Sequence, residues 1–520
     1  MSTVALSSSK GRWVMVSTIM ASSMAFIDST VLNVALPALQ QHFTATGSEL
    51  FWVLNAYLLM LASLMLIGGS LGDKIGRKRV FMWGIWVFIF GSAACGFSQN
   101  VVSMTGFRMI QGVGGALMIP GNLALISSTI HASERGKAIG TWSAITTVVS
   151  AGGPLLGGAL ADAGLWRYIF FINIPIGLLA LLFLTRKVAE VTPDNNDKSI
   201  DFAGAIRVAF GLAALTFGFL SIPANGIDHW QVYVFLLIGV AFLIDFIRIE
   251  LRARHPMLPL SIFKNDTFFG VNVLTLFLYA GLGGGLLFLS LNLVQVQGYS
   301  QFESGLTLLP FSFLMIVLSR YVGRLSDKYG ARMFLILGPI IAGKGLLMLA
   351  ALNQTSGAGD YFTTVFPGIL IFGIGMSLTV VPLTKTVMSS VGSRLSGTAS
   401  GINNATTQLS NVLAYAIFGA LAVVFFANGM EDRLAKSNLS DHDYQRVVAE
   451  AVNLGNARVP EAIPEADRAE IAAFYRESFI DSYHAIMEIC GMLCIVGAFM
   501  SVIFLRRKPI HKIAGSALNV

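Results

Sequence analysis

The feature that most constrains this chain is a recurrence of apolar runs. A helix crossing the hydrocarbon needs roughly 20 mostly apolar residues. Such runs occur fourteen times, near 13–36, 50–71, 80–98, 102–126, 137–160, 167–185, 203–222, 230–249, 268–292, 303–322, 333–352, 362–383, 399–427 and 484–505. In oil each run must close its backbone hydrogen bonds internally, which makes it a helix. The expected fold class is an all-α polytopic membrane protein. Composition agrees: only 12% of the 520 residues are charged, against about 25% in soluble proteins. So few charges cannot cover a water-facing exterior of this size, which excludes a soluble enzyme, a nucleic-acid binder and a disordered scaffold. Cys95, Cys490 and Cys494 sit in apolar stretches, with the spacing of neither a disulfide framework nor a metal site.

The positive charges set the expected sidedness. With both termini on one side, about 26 of the 35 lysines and arginines fall there. The clusters are Lys74/Arg77/Lys78/Arg79, Arg248/Arg252/Arg254, Arg324/Lys328/Arg332 and Arg506/Arg507/Lys508. The short loops opposite hold only Arg167. This asymmetry predicts cytoplasmic termini, and it accounts for the net charge of +7 without a nucleic-acid partner. One long acidic loop, 428–483, is placed outside, and residues 465–482 within it read as an amphipathic helix. That helix is either an inert cap or a lid over the outer mouth.

A repeat divides the chain. Gly69-x-x-x-Asp73-Lys74-x-Gly76-Arg77 follows span 2, and Gly323-x-x-x-Asp327-Lys328-x-Gly330-x-Arg332 follows span 10. The shared spacing implies two six-span halves with spans 7 and 8 inserted between them, an arrangement suited to alternating access. The expected divisions are a cytoplasmic N-terminus 1–12, a first bundle 13–190, two inserted spans 200–252, a second bundle 265–505 with its loop 428–483, and a tail 506–520.

At this point the sequence resembles a family. The turn GGSLGDKIGRKR (68–79) is similar to the signature loop of the major facilitator superfamily. IDSTVLNVALP (27–37), FRMIQGVGGA (107–116), AGGPLLGG (151–158) and WRYIFFINIPIG (166–177) narrow the resemblance to its fourteen-span drug/proton antiporter branch. The resemblance implies the major facilitator fold of two six-helix bundles plus two helices, and export driven by a proton gradient with no bound cofactor. It also implies a bacterial inner membrane. Spans 2, 10 and 13 depart from some multidrug members in showing no buried acids.

Charges inside a membrane are costly and are functional candidates by default. Asp28 lies about 15 residues, or roughly 23 Å, into span 1, and Arg108 lies at a comparable depth in span 4. Burial favours a neutral acid and a nearby cation favours the carboxylate, so such a pair can load a proton in one state and lose it in another. A static pair fixing two spans is the alternative reading of the residues. In the family resembled, the Asp of the first-span motif and the Arg of the fourth-span motif are linked to coupling and substrate, and Asp28 and Arg108 match them. Glu488, one turn from His484 at the outer end of span 14, is a second proton-site candidate or an interfacial residue.

Gly152, Gly153, Pro154, Gly157 and Gly158 read as a close-packing seam with a kink, because proline removes a helix hydrogen bond. In the family this motif marks exporters. Asp73, Arg77, Glu134, Arg135 and Asp327 are expected to form a cytoplasmic gate. Lys344 sits mid-span, and Gly338-x-x-x-x-Gly343-Lys344-Gly345 fails as a phosphate loop because Gly345 replaces the required Ser/Thr. Lys344 either snorkels, pairs with a carboxylate or faces the substrate cavity. Asn55, Asn403 and Asn404 complete the expected cavity set, since polar groups at this depth must bond across helices or line water. Asp245 and Glu250, followed by Pro256 and Pro259, read as a structural boundary.

These residues favour a proton-coupled secondary exporter of amphiphilic or drug-like compounds. An exporter or flippase of an endogenous lipid or metabolite stays open, as does a non-transporting membrane sensor or scaffold. The expected partners are amphiphilic small molecules or lipids and the surrounding membrane lipids, with a periplasmic adaptor left open. No nucleophile or metal-ligand spacing supports an enzyme.

Overall fold

A computed structural model describes residues 4–131, 133–188, 202–253, 256, 258–355, 357–391, 396–435 and 439–505. Arg254, the 506–520 tail with Arg506, Arg507 and Lys508, and the side chain of Asp73 lie outside the described residues. The first half comprises α1 (Ser9–Phe43), α2 (Gly47–Ile75), α3 (Arg77–Phe97), α4 (Val101–Thr129), α5 (Arg135–Asp162), the short α6 (Tyr168–Phe171) and α7 (Asn173–Lys187). The inserted pair is α8 (Phe202–Asn225) and α9 (Trp230–Arg252). The second half comprises α10 (Asp266–Gln295), α11 (Gln301–Thr307), α12 (Leu309–Tyr329), α13 (Ala331–Ala350), α14 (Val365–Ser389), α15 (Ser396–Leu434), α16 (Asp441–Ala449) and α17 (Glu465–Phe504). Among the described residues the one β interaction is an isolated bridge between Val4 and Ile130.

Among the described residues, thirteen helical stretches are long and apolar enough to cross a membrane. The fourteenth expected span is α5, a helix of 28 residues. The helices alternate in direction, so the turns fall on two faces. The basic face carries residue 9, residues 133–134 and the ends of α2 and α12. The loop face carries 44–46, 296–300 and the 439–464 segment.

The repeat has a structural counterpart on the basic face. Gly76 joins α2 to α3 at φ 120° and Gly330 joins α12 to α13 at φ 86°. Both lie in the left-handed region that L side chains avoid, so each half needs glycine at that turn.

The inserted helices lie at the seam between the halves. α8 packs against both α2 and α15, with the Ser48 hydroxyl donating to the Leu220 carbonyl at 2.8 Å. α9 packs on α8 through Arg207–Asp245 at 2.7 Å, and exposes large apolar side chains such as Leu237 elsewhere. Asp245 is therefore an ion-pair partner inside the inserted hairpin, while Glu250 accepts from the Leu258 amide at 3.1 Å across the expected boundary.

The acidic loop differs from expectation in one respect. Its amphipathic helix is not separate, because α17 runs unbroken for 40 residues from Glu465 into the last span. At 1.5 Å per residue that is about 60 Å, twice the hydrocarbon thickness. The projecting part of α17 is fixed to α15 by Arg433, which bonds Glu477 at 3.1 Å and Asp481 at 2.7 Å. Tyr475 donates to the Val447 carbonyl of α16 at 3.0 Å, so the segment is a packed cap.

Candidate functional site

α1 and α4 bring the two expected intramembrane charges into contact. Arg108 Nη1 donates to Asp28 Oδ2 at 2.5 Å, and the residues are 1% and 0% exposed. The second carboxylate oxygen, Oδ1, accepts from Gln111 Nε2 at 2.8 Å. Arg108 Nη1 also donates to Gln111 Oε1 at 2.7 Å, and the guanidinium carbon stands 4.4 Å from the centre of the Tyr57 ring. Both carboxylate oxygens are thus occupied in a buried site, the condition under which a buried ion pair recovers its desolvation cost. Sequence reasoning did not single out Gln111, although its spacing of three from Arg108 on one helix was the available signal.

The glycine seam of α5 touches α1 on one side and the second half on the other. A Cβ on Gly157 would stand 2.6 Å from the Val31 carbonyl oxygen, and one on Gly153 would strike the Thr30 side chain. Across the seam, a Cβ on Gly158 would strike the Gln301 carbonyl, and one on Gly305 would lie 2.5 Å from that of Pro154. Gly152, in contrast, faces open space. The seam ends in another residue missing from the sequence reading. Asp162 accepts from the backbone amides of Gln301 at 2.9 Å and Phe302 at 2.8 Å, capping α11 of the opposite half, where the helix dipole favours an anion.

Other described contacts between the halves also lie toward the loop face. Phe51 of α2 stacks on Phe288 of α10 with centroids 6.0 Å apart. Gln295 of α10 and Asn456 of the cap both donate to Gln40 Oε1 of α1, at 3.0 and 2.6 Å.

The expected gate residues on the basic face are held within their own halves. Glu134 accepts from the Leu6 amide at 2.7 Å, Arg135 donates to the Ile130 carbonyl at 3.1 Å, and Arg77 to that of Ala124 at 3.3 Å. Asp327 pairs with Lys385 of α14 at 2.9 Å. Asp73, the expected centre of this cluster, has a side chain outside the described residues.

The expected cavity set divides. Asn403 turns into the second half, donating to Thr275 Oγ1 at 2.7 Å and Asn272 Oδ1 at 3.3 Å. Asn55 is fully buried on α2, and Asn404 is exposed. Lys344 is not brought to either. It is exposed on the face of α13 that also presents Met333, Leu337, Ile340 and Met348, opposite the side packed on α14 and α17. That is the outward apolar stripe of a membrane helix, from which a lysine stem snorkels. Glu488 likewise shares an exposed face of α17 with Met492 and Phe499. His484 is engaged elsewhere, 2.8 Å from the Leu352 carbonyl, so the two do not form a buried proton site.

Comparison with known proteins fits this geometry. A family model described as Major Facilitator Superfamily matches residues 18–415. The multidrug resistance protein Stp of Mycobacterium tuberculosis is 30% identical over 489 residues, covering 93% of this chain and 88% of the relative. The tetracenomycin C resistance and export protein of Streptomyces glaucescens is 29% identical over 488 residues, covering 94% and 90%. A solved bacterial homologue of the human lysosomal transporter Spinster, inward-facing and unoccupied, superposes with a TM-score of 0.64 at 17% identity, over 97% of this chain and 99% of that one.

Proposed function

This chain belongs to the Major Facilitator Superfamily and is a secondary active transporter of the bacterial membrane, and from that premise we propose that it exports amphiphilic, drug-like compounds in exchange for protons through the Asp28–Arg108–Gln111 site. The relatives named for multidrug resistance and for tetracenomycin C resistance and export support the direction and the substrate class. The excess of lysine and arginine supports a cytoplasmic basic face holding both termini. On that assignment the contacts between the halves at Asp162, Gln40 and Phe51 lie on the outer side.

The observation that carries the proposal is the closed shell around Asp28, whose two oxygens are both bonded and which has no exposure. A proton reaches it only when α1 and α4 part. Once protonated, Asp28 no longer holds the guanidinium by charge, and Arg108 falls back on Gln111, the Val53 carbonyl and the Tyr57 ring. α1 is then free to slide. Thr30 and Val31, two and three residues beyond Asp28, abut Gly153 and Gly157 of the seam. Movement of α1 is therefore passed to α5, whose far side holds the loop-face closure through Gly158 and Asp162. Protonation at one site and opening at the other are linked through one thin helix.

A cavity role for Lys344 would have favoured the lipid or metabolite reading, and its outward position does not support that role. An Asp28→Asn variant in proteoliposomes tests the proposal. Substrate movement driven by a pH gradient is expected to be lost while counterflow without a gradient persists. Gradient-driven accumulation equal to the parent chain refutes the assignment.

A further inference from the structure

Directly beneath the aromatic contact that closes the loop face, the halves bring neutral polar side chains together. Phe51 of α2 meets Gly419 of α15, where a Cβ would lie 2.6 Å from the ring. The two helices run in opposite directions, and residues four apart share a helical face. One turn deeper, therefore, the same two faces carry Asn55 and Tyr415. Tyr415 is 6% exposed and reaches Asn33 of α1. Asn55 is fully buried, and neither its Oδ1 nor its Nδ2 has a hydrogen-bond partner; Asn33 Oδ1 also lacks one. An amide buried without a partner costs as much as a lost hydrogen bond, and buried polar groups in native structures are otherwise satisfied. Asn404, Gln408 and Asn411 continue the Tyr415 face of α15 toward the basic side.

Among the described residues, no charged side chain accompanies this group. Asp28 and Arg108 are engaged with each other and with Gln111, while Lys344 and Glu488 face outward. We propose that Asn33, Asn55 and Tyr415 form a recognition subsite at the blind end of the space between the halves. It takes an uncharged compound that presents carbonyl or hydroxyl groups beside an aromatic ring. The unpaired amides meet the polar groups, and Phe51 and Phe288 supply aromatic surface for the ring. A permanent cation would be desolvated there with amide dipoles and no carboxylate to receive it. The inference rests on the antiporter reading and sharpens its substrate class.

The test uses the full chain in nanodiscs with two radiolabelled probes. Chloramphenicol is uncharged and carries an amide, hydroxyls and an aromatic ring; tetraphenylphosphonium is a permanent cation without hydrogen-bonding groups. Chloramphenicol is expected to bind more tightly than tetraphenylphosphonium. Asn55→Leu should weaken it about tenfold and Tyr415→Phe about threefold, with tetraphenylphosphonium binding unmoved by either. The unliganded Tm of the Asn55→Leu protein should be unchanged or raised, because an orphaned amide is removed; a merely structural asparagine would lower it. Failure of chloramphenicol to bind, tighter binding of the cation, or Asn55→Leu binding chloramphenicol like the parent overturns the subsite. Proton release on chloramphenicol addition is read in parallel. Release that persists while Asn55→Leu has no effect removes the subsite alone, whereas binding without release removes the antiporter reading and leaves the subsite standing.

Discussion

The two halves bury polar clusters of opposite character. The first half holds a full ion pair, Asp28–Arg108, completed by Gln111. The second holds Asn272, Thr275, Asn403 and Thr406, all neutral, joined by hydrogen bonds of 2.7 to 3.5 Å. Neutral amides and hydroxyls keep one protonation state across physiological pH, so the second cluster fixes α10 to α15 whatever the proton gradient. Only the first can change charge. On the proposed coupling through Asp28, the first half takes the moving, proton-sensitive role and the second that of a rigid counterpart, although both carry the same turn motif.

That contrast can be broken most forcefully at Arg108. Arg108→Ala leaves a buried carboxylate without its cation and should cost about 3–5 kcal/mol of stability, read as a large drop in Tm in detergent. The double variant Asp28→Asn/Arg108→Gln, which removes both charges, should recover most of that loss and none of the gradient-driven transport. A double variant as unstable as Arg108→Ala would show that packing, and not charge, dominates the site. Asn403→Val is the matching change in the second half. It should cost about 1–3 kcal/mol through the partners it orphans, and leave the pH dependence of transport unaltered. A shift in the pH profile would end the division of roles.

The smallest expected effect lies where the halves meet. Asp162→Ala removes the carboxylate held on the first two amides of α11, beside its own Ser300 cap, worth about 1 kcal/mol, and should shift the population toward an open loop face by about fivefold. Spin-label distances between the loop-face ends of α5 and α11 would measure it. An unchanged distance distribution would mean that the Phe51–Phe288 contact and the Gln40 bonds hold the closure alone.

Much of the fold was legible because membrane helices are specified locally, by length and apolarity. The turn glycines were legible too, since a repeat of spacing in sequence became a repeat of positive φ at Gly76 and Gly330. α5 was legible as a span, and its glycines are the ones that admit α1 and α11. Less legible was which way a polar side chain points. Asn403 and Asn404 are neighbours in sequence, yet one enters the Asn272–Thr275 cluster and the other is exposed. Successive residues of a helix point about 100° apart, and the facing of α15 is set by its neighbours.

By itself, then, the sequence determined that this chain crosses a membrane many times as apolar helices, and that Asp28 and Arg108 are charges at depth. Both follow from the price of polar groups in oil, which every residue meets wherever its neighbours lie. Tertiary structure alone decided that Gln111 completes the ion pair, that Asp162 closes the loop face onto the opposite half, and that Lys344 looks outward. These are contacts between helices far apart in the chain, and their energies exist only once the packing angles and rotations of those helices are fixed.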